Sequence, residues 1–168
     1  MFDPWAVEAH NELAVKGKAK VVIVSNWRRW CSIEDLQDLF KRQGLDFDYA
    51  DKPSCMKRGL SSNRAQDVSC HIQDYLPDGA RALVIDDDEG LAWLNAFMPL
   101  EEDDISDEKD HYGNIKHDDR QVGLVEDKDI KWKWLDVDYH NGLTFNQLKI
   151  GAEFFGFDNK FYDNRGYY

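Results

Sequence analysis

Residues 82–88 read ALVIDDD, and residues 20–25 read KVVIVS. Both contain an unbroken run of apolar residues, without the alternation that is typical of a half-exposed strand. Such runs favour strands that are covered on both faces, as in a parallel sheet. Each run ends in polar residues, Ser25 in one case and the acidic residues 86–88 in the other. The two stretches therefore predict buried strands with polar groups at their carboxyl ends.

Helical segments separate the predicted strands. Asp3 followed by Pro4 is typical of an N-cap and a first helical position. Ser32 with Asp35 matches a capping box, and Thr144 opens a last amphipathic helix. Strands that alternate with helices indicate a layered α/β domain with a mostly parallel sheet. At 168 residues, we expect one domain that spans residues 1–168.

The charge of the chain is strongly uneven. There are 33 Asp+Glu against 21 Lys+Arg, a formal net charge of −12, and residues 101–129 alone hold 12 acidic and 4 basic side chains. We interpret residues 99–129 as an acidic insertion within the domain. General binding to nucleic acid or to an anionic membrane is not expected, because contact with phosphates needs a basic face.

The three cysteines, Cys31, Cys55 and Cys70, form no CxxC pair. This spacing predicts neither a disulfide framework nor a zinc site, and it favours reduced thiols. The sequence also lacks a signal-peptide pattern and an apolar run of membrane-spanning length. We therefore expect a cytoplasmic protein.

The strand ends are the first place to look for chemistry, because ligands of open α/β sheets bind there. Ser25–Asn26 offers a hydroxyl and an amide for phosphate oxygens, and Asp86–Asp87 offers carboxylates for Mg²⁺, which prefers oxygen ligands. Arg64 or Lys57 could neutralise the same phosphate. Each residue also has a structural interpretation, since Ser25 can cap a loop and the acidic residues can open a helix.

In their order along the chain these residues resemble the haloacid-dehalogenase-like (HAD) phosphohydrolase superfamily. The sequence is similar to the small HAD domains of Swiss-Army-knife-type RNA-repair proteins. The resembling residues are Phe2–Val7, Asn11–Leu13, Val21–Arg28, Arg64–Leu76, Leu83–Asp88 and Gly142–Thr144. The resemblance implies a three-layer Rossmannoid fold that covers most of residues 2–98 and about 135–155, with the acidic segment inserted between them.

The resemblance also implies roles for individual residues. Ser25 becomes the phosphate ligand of the second family motif, and Arg64, or less closely Lys57, becomes the cation of the third. Asp86 and Asp87 become the metal carboxylates of the fourth motif. Mg²⁺ is the cofactor that the family implies.

The family's nucleophile is the first Asp of a DxD motif at the end of a first, central strand. Here Asp3 has no apolar strand before it and is better explained as a helix N-cap. Without that aspartate the family's covalent route is missing. We therefore expect a HAD-like fold that is N-terminally truncated or permuted. A second chain, including a homodimer partner, or a start site further upstream would also supply the strand.

A late strand, Ile130–Asp138, ends in its own DxD. In a circular permutation it would fill the central position, with Asp136 as nucleophile and metal ligand and Asp138 as general acid/base. Two observations favour an edge position instead. Residues 142–144 match the family's C-terminal segment, and lysines such as Lys133 suit an edge strand.

Three functions follow. The first is a degenerate domain, a pseudo-phosphatase, that binds a phosphate-bearing ligand such as a nucleotide, or a protein partner, without turnover. The second is a Mg²⁺-dependent HAD-type phosphatase whose nucleophile is Asp136 or comes from another chain. The third is an acidic decoy, in which residues 101–129 bind the basic surface of a nucleic-acid-binding protein. We favour the first, because the expected nucleophile is missing.

Overall fold

The computed structural model describes residues 2–51, 64–87, 122–125, 128–137 and 143–158. The helices are α1 (Pro4–Lys16), α2 (Ile33–Arg42), α3 (Arg64–Tyr75) and α4 (Phe145–Phe155), with a 3₁₀ helix at Asn26–Arg29. The strands are β1 (Arg81–Asp86), β2 (Val122–Val125) and β3 (Ile130–Asp136). The chain thus has an α/β fold, as predicted.

The described strands form one sheet in the order β1-β3-β2. β1 pairs with β3 in parallel, and β2 pairs with β3 antiparallel. The strands predicted from residues 82–86 and from the start of the late segment are confirmed. The edge position expected for the late strand is wrong for this sheet, because β3 has a neighbour on each side and its Lys133 is only 4% exposed.

Helices pack on both faces of the sheet. On one face, α3 residues such as Val68 contact even-numbered strand residues such as Val84 and Trp132. On the other face, Leu13 of α1 and Leu148 of α4 belong to one cluster with Leu135. The alternation of residues 130–134 therefore corresponds to the α3 face, where Trp132 and Trp134 are buried, and Leu135 is buried on the opposite face.

The predicted helix starts are confirmed. The Asp3 carboxylate accepts a hydrogen bond from the N–H of Trp5 at 2.7 Å, and capping boxes open α2 at Ser32 and α4 at Thr144. Gly151, which has no Cβ, allows α4 to pack closely against Leu13 of α1. A Cβ at this position would lie 2.9 Å from a methyl group of Leu13, tighter than real Cβ contacts.

The stretch Val21–Ser25 differs from its prediction. The stretch is extended, Ile23 is buried, and Val24 packs against the core on the α3 face of the sheet. In the described chain, however, only Val21 makes a bridge, to Tyr49. The apolar run predicted burial on both faces, but only Ile23 is buried and the other residues of the stretch are half-buried. It could not predict a ladder, because a ladder also requires a neighbouring strand.

Part of the predicted acidic insertion belongs to the sheet. β2 lies within it, and the Lys128 ammonium donates to the carbonyls of Gln73 and Leu76 at the C-terminal end of α3. A cation is stabilised there by the last carbonyls of the helix and by the helix dipole. Residues 99–121 lie outside the described residues, so the decoy hypothesis stays a prediction.

Cys31 and Cys70 are free thiols, as expected, and Cys55 lies outside the described residues. Among the helices that the structure describes, none has both the length and the apolar character needed to cross a membrane.

Candidate functional site

The parallel pairing of β1 and β3 places two predicted site residues side by side. Asp86 and Asp136 are register partners at the carboxyl ends of the two strands. Residues two apart share a face of a strand, so both lie on the α3 face, in line with Val84 and Trp134. Asp86 is buried, whereas Asp136 is exposed. The strand ends thus bring together one buried and one exposed carboxylate.

The first residue of α3 lies directly against the buried carboxylate. Arg64 Nη1 is 2.5 Å from Asp86 Oδ1 and 2.6 Å from Oδ2, and the two side chains are only 12% and 7% exposed. A buried carboxylate is costly unless it is paired and hydrogen-bonded. The predicted phosphate cation and the predicted metal ligand therefore form a salt bridge with each other.

Trp134 fixes the backbone of Asp86, a role that sequence analysis missed. Its indole Nε1–H donates to the Asp86 carbonyl at 3.2 Å, and the N–H of Val137 donates to the same carbonyl at 3.2 Å. A buried indole N–H usually finds a partner, so the alternating Trp-Lys-Trp pattern was the available signal. It could not identify which carbonyl accepts.

Gln147 fixes the end of β3 and was also missed. Its side-chain oxygen accepts from the N–H of Thr144 at 2.9 Å in the capping box of α4, while its Nε2 donates to the carbonyl of Asp136. One amide therefore connects the start of α4 to the strand end. A threonine followed three residues later by glutamine signals the cap, but not the contact with Asp136.

Ser25 begins the 3₁₀ helix, of which Asn26 is the first residue. Its Oγ accepts from the N–H of Trp27 at 3.3 Å, so Ser25 does cap a turn, and its O–H is a donor as well. Val24 packs against the core cluster that contains Ala65, next to Arg64. Val24 and Ala65 therefore both belong to the core on the α3 face of the sheet.

Three predicted site residues remain, Asp87, Lys57 and Asp138. Asp87 is exposed and directly follows β1. Lys57 and Asp138 lie outside the described residues. Their predicted roles stay predictions.

The described residues do not fit a Mg²⁺ site. Both oxygens of Asp86 lie against Arg64, and a bound cation would have to displace that guanidinium. Within the part of the chain that the structure describes, no group of three or more His, Cys, Asp or Glu side chains is arranged to hold a metal. Mg²⁺ needs several oxygen ligands in octahedral geometry, and the described residues do not supply such a set.

The permuted arrangement required the late strand to lie between β1 and Val21–Ser25. In the described sheet, β3 pairs with β1 along one edge and with β2 along the other. The register does place Asp136 beside Asp86, although on a strand that lies between β1 and β2.

These features define an α/β domain whose polar groups gather at the ends of parallel strands. The family model for the HAD domain in Swiss Army Knife RNA repair proteins matches residues 1–128. The chain belongs to this family. The match runs through the predicted insertion and ends before β3. A comparison with curated proteins and one with solved structures found no match.

Proposed function

We propose that this HAD domain binds a phosphate-bearing ligand at the strand ends and does not turn it over. In this proposal the fold is a three-layer Rossmannoid arrangement. Arg64 and the Ser25 hydroxyl contact the phosphate, with Asn26 and Lys57 as further donors. The observation that carries the proposal is the salt bridge between Arg64 and Asp86.

The salt bridge favours binding over catalysis for an electrostatic reason. The Asp86 carboxylate is neutralised by a guanidinium of its own chain, so the charge that would attract a metal is already paired. The pairing also fixes the guanidinium at the strand end.

The charges of the side chains at the strand ends determine which binding properties we expect. Arg64 contributes one positive charge, and Asp86, Asp87 and Asp136 contribute three negative charges. Asp87 and Asp136 are exposed, so their repulsion of a phosphate is screened by solvent and salt. We therefore expect phosphate binding that is modest, needs no added Mg²⁺ and strengthens when an exposed carboxylate is removed.

The test is a calorimetric titration with ribose 5-phosphate in the presence of a metal chelator. We expect binding by the wild type and loss of at least tenfold in affinity in Ser25→Asp. Aspartate preserves the N-cap acceptor but places a negative charge against the phosphate. No measurable binding by the wild type would refute the proposal.

Gln73→Glu is the matched control for this experiment. It adds the same charge near the other end of α3, nine residues from Arg64 or about 14 Å along the helix. This separation exceeds the Debye length of about 8 Å at physiological ionic strength. The control is therefore expected to bind as the wild type does, and equal losses in both variants would contradict a local role for Ser25.

A second candidate function is hydrolysis with Asp136 as nucleophile, with Asp138 as general acid/base. It is favoured by one observation, the register that places Asp136 beside Asp86. This alternative requires turnover that depends on Mg²⁺ and on Asp136, which the binding proposal does not.

A further inference from the structure

Two exposed tryptophans follow Ser25. Trp27 is 47% exposed and Trp30 is 81% exposed, and both belong to the small set of large apolar side chains that the described surface exposes. Burial of an indole removes a large apolar area from water, so two exposed indoles in one turn call for an explanation.

The 3₁₀ helix places the two residues on one side of the chain. With about three residues per turn, residues i and i+3 lie above one another, and the N–H of Trp30 donates to the carbonyl of Trp27 at 2.9 Å. In the chain as described, neither indole stacks on another ring. Among the described residues, each indole therefore keeps ring surface that is exposed to solvent.

The turn is also locally basic. Arg28 and Arg29 lie between the two tryptophans in a chain of net charge −12. The Arg28 guanidinium donates to the carbonyl of Ile23 at 3.4 Å, which holds it beside the end of the Val21–Ser25 stretch. Positive charge with aromatic rings is complementary to a ligand that has both a phosphate and a planar base.

We propose that Trp27 and Trp30 stack on the nucleobase of a mononucleotide whose phosphate binds at Ser25 and Arg64. This inference rests on the proposed function and adds the class of ligand. At a rise of about 2.0 Å per residue, the two tryptophans lie about 4 and about 10 Å along the helix from Ser25. The ribose of a nucleotide separates phosphate and base by a comparable distance. The acidic surface as a whole opposes a long nucleic acid.

The experiment compares adenosine 5′-monophosphate with ribose 5-phosphate by calorimetry on the full chain. We expect the nucleotide to bind at least tenfold more tightly, because stacking on an aromatic side chain adds a contribution that the sugar phosphate lacks. Trp30→Ala and Trp27→Ala should each remove most of this preference and leave the affinity for ribose 5-phosphate unchanged. Trp30→Phe should retain part of it.

Tyr75→Ala is the matched control, because Tyr75 is also an exposed aromatic residue, 49% exposed, but lies at the other end of α3 from Arg64. It should leave the preference intact. Circular dichroism checks that every variant is folded.

Equal affinity for the two ligands would overturn the inference and leave the proposed function standing, whereas failure of both ligands to bind would refute both. Tighter binding of a single-stranded oligonucleotide than of the mononucleotide would contradict the choice of ligand. A change of oligomeric state in Trp30→Ala without a change in nucleotide preference would identify the turn as a contact between copies and would also overturn it.

Discussion

Arg64 Nη1 lies within 2.6 Å of both carboxylate oxygens of Asp86, with the two side chains largely shielded from solvent. This contact joins the start of α3 to the end of β1 and so connects a helix to the sheet on the face where α3 packs. It combines two residues that the family pattern assigns to separate tasks. In the proposed function, the pairing of Arg64 with Asp86 makes the domain a binding module rather than a catalyst.

Removal of the cation alone should destabilise the fold. Arg64→Met leaves a buried carboxylate without its partner, which costs about 3–5 kcal/mol. Arg64→Met combined with Asp86→Leu should restore most of that loss, because an apolar pair needs no desolvation of charge. Urea denaturation measures both. The double variant should be folded yet bind ribose 5-phosphate at least tenfold more weakly, and undiminished binding would contradict a role for Arg64.

Trp134→Phe should loosen the site without unfolding the protein. It removes the indole donor to the Asp86 carbonyl, which keeps the N–H of Val137, so we expect a loss of about 1 kcal/mol in the free energy of unfolding. The affinity for ribose 5-phosphate should fall several-fold. Trp132→Phe, in the same strand, is the control and should change stability but not affinity; equal effects on affinity would argue against positioning by Trp134.

Gln147→Glu separates two roles of one side chain. Glutamate keeps the capping box of α4 but loses the donor to the Asp136 carbonyl, so we expect a loss of about 1 kcal/mol from that contact alone. Gln147→Ala loses the cap as well and should be less stable than Gln147→Glu. Thermal denaturation gives the order of the three proteins. If Gln147→Glu matched the wild type, the contact with Asp136 would be energetically unimportant.

His10 should make the fold sensitive to acid. Burial lowers its pKa below the ordinary value of 6.5, against a smaller opposing effect of its hydrogen bond with the Ala6 carbonyl. The unfolded chain therefore takes up a proton near pH 6.5 that the folded chain resists, so stability falls as the pH drops below that value. Urea midpoints at pH 7.5 and pH 5.5 should differ more for the wild type than for His10→Gln. An equal or smaller shift in the wild type would be evidence against a lowered pKa of His10.

The sequence predicted local structure well because caps and apolar runs act over a few residues. Asp3, Ser32 and Thr144 open their helices as expected, and the ALVID stretch is β1. The prediction that Val21–Ser25 forms a strand failed because a ladder needs a neighbouring strand, and no local sequence pattern shows whether one is present.

The placement of Asp86 and Asp136 at strand ends was predictable from the sequence, but their contacts were not. The order of Ser25, Arg64 and Asp86 pointed to the strand ends, yet pairing of Arg64 with Asp86 is set by how α3 packs on the sheet. The position of β3 between β1 and β2 likewise depends on long-range pairing. The lysines of β3 wrongly suggested that one side of this strand has no neighbouring strand.

The central claim is that this domain binds phosphate without hydrolysing it, and Asp136→Asn tests it most directly. Ribose 5-phosphate affinity in chelator and phosphate release with Mg²⁺ are measured on the wild type and the variant. Removal of an exposed carboxylate should raise the affinity by up to about fivefold, with no phosphate release from either protein. Mg²⁺-dependent release by the wild type that Asp136→Asn abolishes would contradict the claim and establish Asp136 as the nucleophile.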